Sequence, residues 1–170
     1  MGSNLQILLT GLQSVGKSSI MKRLTQHEFD SNIKPTLGTQ IYKMILQNTQ
    51  FQILDMGGQK KLRSNWYSPT LKPDGIIYVI DCAGDSQLFT EAREEFNRLI
   101  AHYTASRVLP ILILGNKVDL LPEKNAYLLK EVIFEIPDGV IYEMRYCSAL
   151  TGEGIDDAFK WLVGEIMKKL

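Results

Sequence analysis

The hydrophobic positions of the chain fall into six short runs, some of which are apolar at every position. Ile76-Ile77-Tyr78-Val79-Ile80 and Ile111-Leu112-Ile113-Leu114 are continuous in this sense. Strands that are covered on both faces have this pattern, which is typical of parallel sheets. We therefore predict six strands, over Leu5–Thr10, Gln40–Gln47, Gln50–Asp55, Gly75–Cys82, Leu109–Gly115 and Val140–Cys147.

Helical periodicity fills most of the intervals between these strands. A helix is predicted from Lys17 to about His27, directly after the first strand. Apolar residues at three- and four-residue spacing predict two more helices, from Leu88 to Tyr103 and from Ile155 to Ile166. A weaker pattern around 127–135 suggests a further helix. Alternation of strands and helices implies right-handed crossovers and an α/β sheet with helices on both faces.

One pair of strands breaks this alternation. Gln47-Asn48-Thr49-Gln50 joins the second and third strands with no room for a helix, so these two strands should form an antiparallel hairpin. The second strand would then lie at an edge of the sheet. The predicted fold class is α/β, with a mostly parallel six-stranded sheet, one antiparallel edge strand and helices on both faces.

Composition agrees with one soluble globular domain spanning 1–170. The chain has 45% hydrophobic and 22% charged residues, which is ordinary for such proteins. Its formal net charge is zero, so its overall field gives no reason to expect a nucleic acid as partner. No apolar run approaches the roughly 18 residues that a membrane span needs. Only four residues precede Leu5, and no intrinsic membrane anchor is visible.

The two cysteines bear on the cellular compartment. Cys82 and Cys147 both lie at the ends of strand-like runs and lack C-x-x-C spacing. Buried thiols of this kind are typical of a reducing compartment rather than of a disulfide or a metal site. A cytoplasmic location is the resulting expectation.

A motif directly after the first strand predicts a phosphate site. Residues 11–18 read G-L-Q-S-V-G-K-S, with the spacing G-x-x-x-x-G-K-S. The glycines let backbone N–H groups face a phosphate, Lys17 supplies a cation for the outer phosphates, and Ser18 offers a hydroxyl to Mg²⁺. A chance glycine-rich turn is the alternative, but the order of strand, loop, lysine and helix disfavours it. The predicted phosphate-binding residues are Gly11, Gln13, Ser14, Val15, Gly16, Lys17, Ser18 and Ser19.

Two further segments have residues suited to a terminal phosphate and its metal. Asp55 ends a strand and can orient a water on Mg²⁺, while Gly58 can bring a bare N–H group to the phosphate and Gln59 can orient an attacking water. Thr36, in a loop, can complete the Mg²⁺ shell when a γ-phosphate is present. Taken singly, these segments are also compatible with an ordinary strand exit and an ordinary Pro-Thr loop.

The segment Asn116-Lys117-Val118-Asp119 has residues suited to a guanine base. The Asp119 carboxylate can accept two N–H groups that guanine presents and adenine does not. Asn116 can either contact the base or tie its loop to the phosphate loop, and the stem of Lys117 can cover the base face. A backbone N–H of Ser148 or Ala149 could read the guanine oxygen. All these segments follow strand ends, where open α/β sheets bind ligands.

With these motifs the chain resembles small GTPases of the Ras superfamily, in the Arf/Arf-like branch, over essentially its full length. The branch is marked by residues 35–38 (P-T-L-G), residues 55–59 (D-M-G-G-Q), Arg63 and Trp66. The resemblance implies the P-loop NTPase fold of the Ras-like type. Residues 147–154 (C-S-A-L-T-G-E-G) are most similar to Arf-like members that act with lipid-binding carriers and with cilium- or microtubule-related partners.

The resemblance also implies a molecular switch. It implies binding of GTP and GDP with Mg²⁺, slow hydrolysis, and two switch loops near Thr36 and Gln59. Effectors, an exchange factor and a GTPase-activating protein would bind through residues 33–46 and 56–70. The hairpin between the switches would slide in register on nucleotide exchange, and its apolar residues are compatible with two registers. A monomer is implied, in intracellular or ciliary trafficking, recruited by partners to membranes or to the cilium.

The chain departs from the Arf pattern in three respects. Thr39, Leu54 and Pro69 stand where Arf proteins have a Phe–Trp–Tyr cluster that holds effectors. Gln13 stands where Arf proteins usually have Asp, beside the γ-phosphate. The amphipathic N-terminal helix of Arf proteins is not seen. Arf effectors and the Arf hydrolysis rate are therefore not expected to carry over unchanged.

Three functional hypotheses remain. The leading one is a GTP-hydrolysing switch in which Lys17, Thr36 and Gln59 are catalytic and Ser18, Thr36 and, through water, Asp55 hold Mg²⁺. The second is a GTP-dependent binding module with negligible hydrolysis, motivated by Gln13. The third is a P-loop ATPase or small-molecule kinase, against which Asn116 and Asp119 argue.

Overall fold

The computed structural model describes residues 4–26, 28–122 and 134–170. Most of the predicted helix around 127–135 lies outside the described residues, and its last two positions, 134 and 135, are described and are not helical. Strands and α-helices follow one another as β1 (Leu5–Gly11), α1 (Lys17–Gln26), β2 (Thr39–Leu46), β3 (Thr49–Met56), β4 (Gly75–Asp81), α2 (Ser86–Thr104), β5 (Ile111–Asn116), β6 (Tyr142–Tyr146) and α3 (Ile155–Met167). Two 3₁₀ helices cover Lys60–Tyr67 and Val118–Leu120.

The strands form one six-stranded sheet in the order β2-β3-β1-β4-β5-β6. β2 pairs with β3 in the antiparallel sense, whereas the pairs β3–β1, β1–β4, β4–β5 and β5–β6 are parallel. Gln47 and Asn48 connect the hairpin with φ values of 49° and 60°. Positive φ at both central residues is the type I′ turn that suits the twist of two adjacent strands. The prediction of a mostly parallel sheet with one antiparallel edge strand is confirmed.

Helices cover both faces of this sheet, as predicted. The Tyr78 hydroxyl of β4 donates to the carbonyl of Ala92 on α2, over 2.8 Å. Gly75 of the same strand points the other way, since it is an odd number of residues from Tyr78. A Cβ placed on Gly75 would lie 2.8 Å from Ile166 and 3.2 Å from Leu162, both on α3. α2 and α3 therefore lie on opposite faces.

The two continuously apolar runs form the centre of the core. Every residue in Ile76–Ile80 and in Ile111–Leu114 is at most 2% exposed. Cys82 and Cys147 are both buried and free. Among the described residues, no helix has the length and apolar character that crossing a membrane requires.

Parallel pairing brings several loops to one rim. β1 ends at Gly11, β3 at Met56, β5 at Asn116 and β6 at Tyr146, and the segments that follow all leave from the carboxyl edge of the sheet. Helix α1 begins at Lys17, six residues after β1 ends. Open α/β sheets bind their ligands at this edge. The predicted site segments are thus neighbours in space.

Candidate functional site

A cavity of about 480 Å³ opens at the carboxyl rim of the sheet. Such a volume is in the usual range of small-molecule sites. Most of the predicted site residues line it. They are Gln13, Ser14, Gly16, Lys17, Ser18, Ser19, Thr36, Gly58, Gln59, Asn116, Lys117, Asp119 and Ala149. Gly11, Val15, Asp55 and Ser148 lie behind this lining, where they contact residues that form it.

The loop between β1 and α1 requires its two glycines. Gly11 has φ of +145°, and a Cβ there would lie 2.4 Å from the Val79 carbonyl oxygen of the neighbouring strand. Gly16 has φ of +97°, and a Cβ there would lie 2.3 Å from Asn116 Nδ2. Both positions therefore exclude any side chain. The close approach of Gly16 to Asn116 brings the phosphate-loop segment against the loop that follows β5.

Lys17 has a buried ammonium group at the bottom of this loop. The residue is 6% exposed, and Nζ donates to the carbonyls of Gly11 and Leu12 over 2.9 and 2.7 Å. Burial lowers the pKa of Lys17 to about 8, and the nearby Asp55 carboxylate partly opposes this shift. An anion bound in the loop would stabilise the charged ammonium. The arrangement is therefore suited to a phosphate.

Three oxygen-bearing side chains from different segments meet beside Lys17. Ser18 Oγ donates to Asp55 Oδ2 over 2.5 Å and lies 3.0 Å from Thr36 Oγ1. Asp55 is fully buried, and its Oδ1 is a buried atom with no hydrogen-bond partner. Burial raises the pKa of Asp55, whereas the bond from Ser18 and the charge of Lys17 lower it.

These three side chains fit a magnesium site. Hydroxyl and carboxylate oxygens are the ligands that Mg²⁺ takes, usually with only one or two carboxylates and with phosphate oxygens from the substrate. In the described part of the chain no group of three or more His, Cys, Asp or Glu side chains could hold a metal. The cation would thus depend on Ser18, Thr36 and the bound phosphates, and a metal-bound water would give Asp55 Oδ1 the partner it lacks.

Asn116 joins the two ends of the cavity. Its Nδ2 donates to the Val15 carbonyl over 2.9 Å, and its Oδ1 accepts the Ala149 N–H over 3.0 Å. Of the two roles considered for Asn116 from the sequence, the structure shows the tie to the phosphate loop. The side chain is 1% exposed, so these bonds are shielded from water.

Lys117 makes a second tie between the same two loops. Its Nζ donates to the Ser14 carbonyl over 2.7 Å and forms an ion pair of 2.6 Å with Asp81. Lys117 has a left-handed backbone, with φ of 69°. Asp81 is the last residue of β4 and no sequence motif had indicated a role for it. The contact between the two side chains could be found only from the fold.

Asp119 lines the cavity beside the loop that follows β6. Its Oδ1 accepts the Ser148 hydroxyl over 2.5 Å. Ser148 is fully buried and does not line the cavity, in contrast to Ala149. The structure therefore places Ser148 as a support of Asp119 rather than in the cavity wall, while Ala149 lines the cavity with its N–H bonded to Asn116 Oδ1.

Gly58 brings the segment after β3 against the phosphate loop. A Cβ on Gly58 would lie 2.5 Å from the Leu12 carbonyl and 2.6 Å from Lys17 Nζ. The preceding Gly57 donates its N–H to the Gly38 carbonyl over 2.9 Å, which links the two predicted switch loops. Gln59 is half-buried and lines the cavity. A terminal phosphate in the cavity would therefore meet residues from both loops.

Two side chains that the sequence identified only as family markers fix the segment after Gln59, and one of them, Arg63, ties it to α2. Arg63 Nε donates to the Gly58 carbonyl over 3.0 Å, and its Nη1 contacts Glu91 and Glu95 over 2.7 and 3.3 Å. Trp66 is fully buried, and its indole N–H donates to the Gly57 carbonyl over 3.0 Å. Both side chains thus fix the backbone at Gly57 and Gly58, directly before Gln59.

The sequence analysis also missed three apolar residues at the mouth of the cavity. Phe29, Leu120 and Leu150 line it and remain 41%, 62% and 49% exposed. Exposed aromatic and aliphatic side chains around a polar cavity are suited to the faces of a planar base. Leu150 lies in the run 147–154 but was given no role from it, whereas no motif contains Phe29 or Leu120. Only the positions of these side chains in the fold indicate this role.

Comparison with known proteins agrees with this geometry. The family model described as "ADP-ribosylation factor family" matches residues 1–166. The ADP-ribosylation factor-like protein 4D of Bos taurus is 31% identical over 172 residues, which cover 97% of this chain and 84% of that protein. The same protein of Mus musculus gives equal values.

A solved structure shows the same fold. The Arl6 BBS3 small GTPase from Trypanosoma brucei, with the bound nucleotide analogue GppNp, matches with a TM-score of 0.79 at 22% identity. The match covers 99% of this chain and 100% of that one. The predicted P-loop fold of the Ras-like type is confirmed by this likeness.

Proposed function

The chain belongs to the ADP-ribosylation factor family of small GTPases, as its motifs predicted, and from that premise we propose that it is a Mg²⁺-dependent switch. It binds GTP and GDP, hydrolyses GTP slowly and recruits effector proteins in the GTP-bound state. The observation that carries the proposal is the meeting of Ser18, Thr36 and Asp55 beside Lys17. Thr36 comes from a loop, so its place in this cluster depends on what occupies the site.

Guanine recognition rests on the other end of the cavity. Asp119 accepts the two N–H groups that guanine presents, and Ser148 holds its carboxylate in place. The Ala149 N–H is already bonded to Asn116 Oδ1, so Ala149 contributes to the wall of the cavity, and the stem of Lys117 with Phe29 covers the faces of the base. Adenine lacks the two donors for Asp119, which disfavours the ATPase and kinase alternatives.

For hydrolysis, Lys17 and the backbone N–H groups of the phosphate loop stabilise charge on the β- and γ-phosphates. Mg²⁺, when held by Ser18, Thr36 and, through water, Asp55, would neutralise further charge there. Gln59 orients the attacking water without being a strong base. The catalytic roles of Lys17, Thr36 and Gln59 thus remain predictions.

Slow hydrolysis of GTP is expected because the loop before Thr36 brings no arginine to the γ-phosphate. Ile33, Lys34 and Pro35 precede Thr36, so the loop supplies no arginine of its own. Arg63 is held by Gly58 and the carboxylates of α2. Without an arginine at the γ-phosphate, turnover on the order of 10⁻⁴ to 10⁻³ s⁻¹ is expected, rising with an activating protein.

Protein partners are proposed to bind through residues 33–46 and 56–70. Leu37, Ile41 and Ile45 of the first segment are 79%, 56% and 77% exposed. Leu54 is only 6% exposed, so an effector would meet the aliphatic side chains of β2 rather than a cluster of the Arf kind. An exchange factor and an activating protein would use the same surfaces.

The cellular setting is proposed from the cysteines and from the family resemblance. Two buried free thiols suit a reducing compartment, which supports a cytoplasmic location. The resemblance supports a monomer with one domain over 1–170. The similarity of residues 147–154 to certain Arf-like members supports intracellular or ciliary trafficking, with recruitment to membranes or the cilium by partners.

A second candidate is a GTP-dependent binding module with negligible hydrolysis. Gln13 carries it, because this residue is exposed and lines the cavity beside the phosphate loop. A neutral amide there replaces the carboxylate that Arf proteins usually have. The two candidates bind the same nucleotide and differ in what happens to the γ-phosphate.

One experiment tests both candidates. The protein is loaded with radiolabelled GTP and Mg²⁺, and single-turnover release of phosphate is compared between wild type and Gln13→Asp. Turnover at about the rate given above supports the switch, and GTP that persists intact for many hours in wild type but not in Gln13→Asp supports the binding module. A competition assay in which ATP displaces GTP at equal concentration would overturn both.

A further inference from the structure

The loop after β6 is held by a residue from α1, the helix whose first turn contacts the phosphate end of the site. Arg23 Nε donates to the Ala149 carbonyl over 3.0 Å, and its Nη2 donates to the carbonyl of Leu150. A Cβ on Gly152 would lie 3.4 Å from Arg23 Cδ, so the loop packs on the arginine stem as well. We propose that Arg23 is a positioning residue that sets the rate of guanine-nucleotide release.

The contact is specific to the shape of arginine. A guanidinium presents several N–H donors in a rigid plane and can hold two acceptors at once, whereas a lysine ammonium is a flexible point charge. The two acceptors are successive carbonyls of one loop, so a single side chain fixes both the position and the orientation of that peptide. A lysine at the same place would hold one carbonyl and leave the other to water.

The residues held in this way belong to the cavity wall. Ala149 and Leu150 both line it, and the Ala149 N–H is bonded to Asn116. Ser148, the residue before Ala149, donates its hydroxyl to Asp119. Displacement of the loop therefore moves the bond between Ala149 and Asn116, the apolar wall at Leu150 and the support of Asp119 together. All three lie at the end of the cavity that we assign to the base.

Helix α1 connects this contact to the other end of the nucleotide. Lys17 and Ser18 occupy its first turn, and Arg23 lies less than two turns later. A helix of this length moves as one body, so a shift at the phosphate end carries the guanidinium with it. Release of the phosphates and loosening of the base loop are thus linked through one element. The inference rests on the proposed function, since it requires a guanine nucleotide in the cavity.

The expected effect is on release and not on hydrolysis. Arg23→Met keeps much of the apolar stem and removes both hydrogen bonds, so dissociation of GDP should become about tenfold faster. A non-hydrolysable GTP analogue should be released faster by the same factor, because the base is common to both ligands. Hydrolysis of GTP that is already bound should be unchanged, since the phosphate-side residues are untouched. Arg23→Lys should give an intermediate release rate.

The test uses the whole chain loaded with GDP that has a ribose-linked fluorophore, chased with excess GDP in the presence of Mg²⁺. Arg93→Met is the matched control, because Arg93 is an exposed arginine of α2 that does not line the cavity. It should release GDP at the wild-type rate. The contrary result is that Arg23→Met lowers the melting temperature and leaves the release rates of both ligands at their wild-type values. That result would show that Arg23 has a purely structural role and would overturn the inference.

Two further outcomes separate this inference from the proposed function. A wild-type protein that retains no guanine nucleotide would overturn the proposed function and the inference with it. A wild-type protein that retains GDP, with release that is unaffected in both Arg23 variants, would overturn the inference alone. If Arg23→Met does not fold, the release rate of Arg23→Lys is the test. A rate faster than wild type supports the inference, and a rate equal to wild type contradicts it.

Discussion

At the scale of single residues, the site depends on close packing between residues that are far apart in the sequence. Gly16 and Asn116 are a hundred positions apart, yet they lie so close that a Cβ on Gly16 would be 2.3 Å from Asn116 Nδ2. The same amide bonds to Val15. Any side chain at position 16 would therefore disturb two loops at once.

Gly16→Ala is expected to weaken GDP binding by at least about tenfold, which corresponds to about 1.4 kcal/mol. The new methyl group would lie 2.3 Å from Asn116 Nδ2, and alanine is strained at φ of +97°. Equilibrium titration with fluorescent GDP measures the loss. Gly164→Ala is the matched control, since a Cβ there meets no atom within 4 Å and alanine is favoured over glycine by about 1 kcal/mol within a helix. Equal affinity of the two variants would contradict the prediction.

The site residues that could be predicted from the sequence belong to motifs with a fixed spacing along the chain. The phosphate loop, Asp55, Gln59 and residues 116–119 are recognisable because the chemistry needs fixed offsets along the chain. The supporting residues Arg23 and Asp81 have no such offset, because each acts through a partner that the fold brings near. Ser148 was assigned to the nucleotide itself and is found behind Asp119 instead.

At the scale of elements, the 3₁₀ helix over Lys60–Tyr67 is held to α2 by a partly buried network of charges. Arg63 and Glu95 are 7% and 8% exposed, and Arg98 also contacts Glu95 over 3.2 Å. Removing one member of a buried ion pair leaves a charge without compensation. The network therefore couples the switch segment to a helix that does not contact the cavity.

Arg63→Met is expected to lower the free energy of unfolding by about 3 kcal/mol, because Glu95 would stay buried without the cation that is buried beside it. It should also slow hydrolysis, since Arg63 holds the Gly58 carbonyl next to Gln59. Denaturant unfolding and single-turnover assays measure the two effects. Arg98→Met is the control: its side chain is 66% exposed and its pair should contribute about 1 kcal/mol or less. Similar losses in both variants would argue against a special role of Arg63.

Elements were predictable where burial leaves a strong pattern. Each of the six predicted strands was found, with bounds that differ by two residues at most. The signal is strongest in β4 and β5, because continuous apolar runs mark strands that are covered on both faces. The 3₁₀ helix over Lys60–Tyr67 was not predicted. Its sequence is polar apart from a few residues, and its shape follows from the anchoring of Arg63 and Trp66 rather than from local propensity.

At the scale of the whole molecule, the cavity is closed by loops from both ends of the chain. Segments after β1, β3, β5 and β6 all contribute, and several of them are hydrogen-bonded to one another. A ligand that binds only the folded state stabilises it in proportion to the logarithm of its concentration over the dissociation constant. Nucleotide binding and global stability should thus be coupled.

GDP with Mg²⁺ at about a thousand times its dissociation constant is expected to raise stability by about 4 kcal/mol. Thermal unfolding measures this as an increase of the melting temperature. ATP at the same concentration should give little increase, because adenine lacks the donors for Asp119. Chelation of Mg²⁺ should remove part of the gain. An equal increase with ATP, or an increase insensitive to chelation, would contradict the site assignments.

The tie from Asn116 to Val15 has a consequence for the time course of synthesis. The two residues are 101 positions apart, and the second partner of the amide, Ala149, follows later still. A ribosome that adds about ten residues per second needs roughly ten seconds to go from the first partner to Asn116. A growing chain therefore exposes its phosphate loop long before Asn116 and Ala149 have been synthesised and can complete the two bonds of this amide.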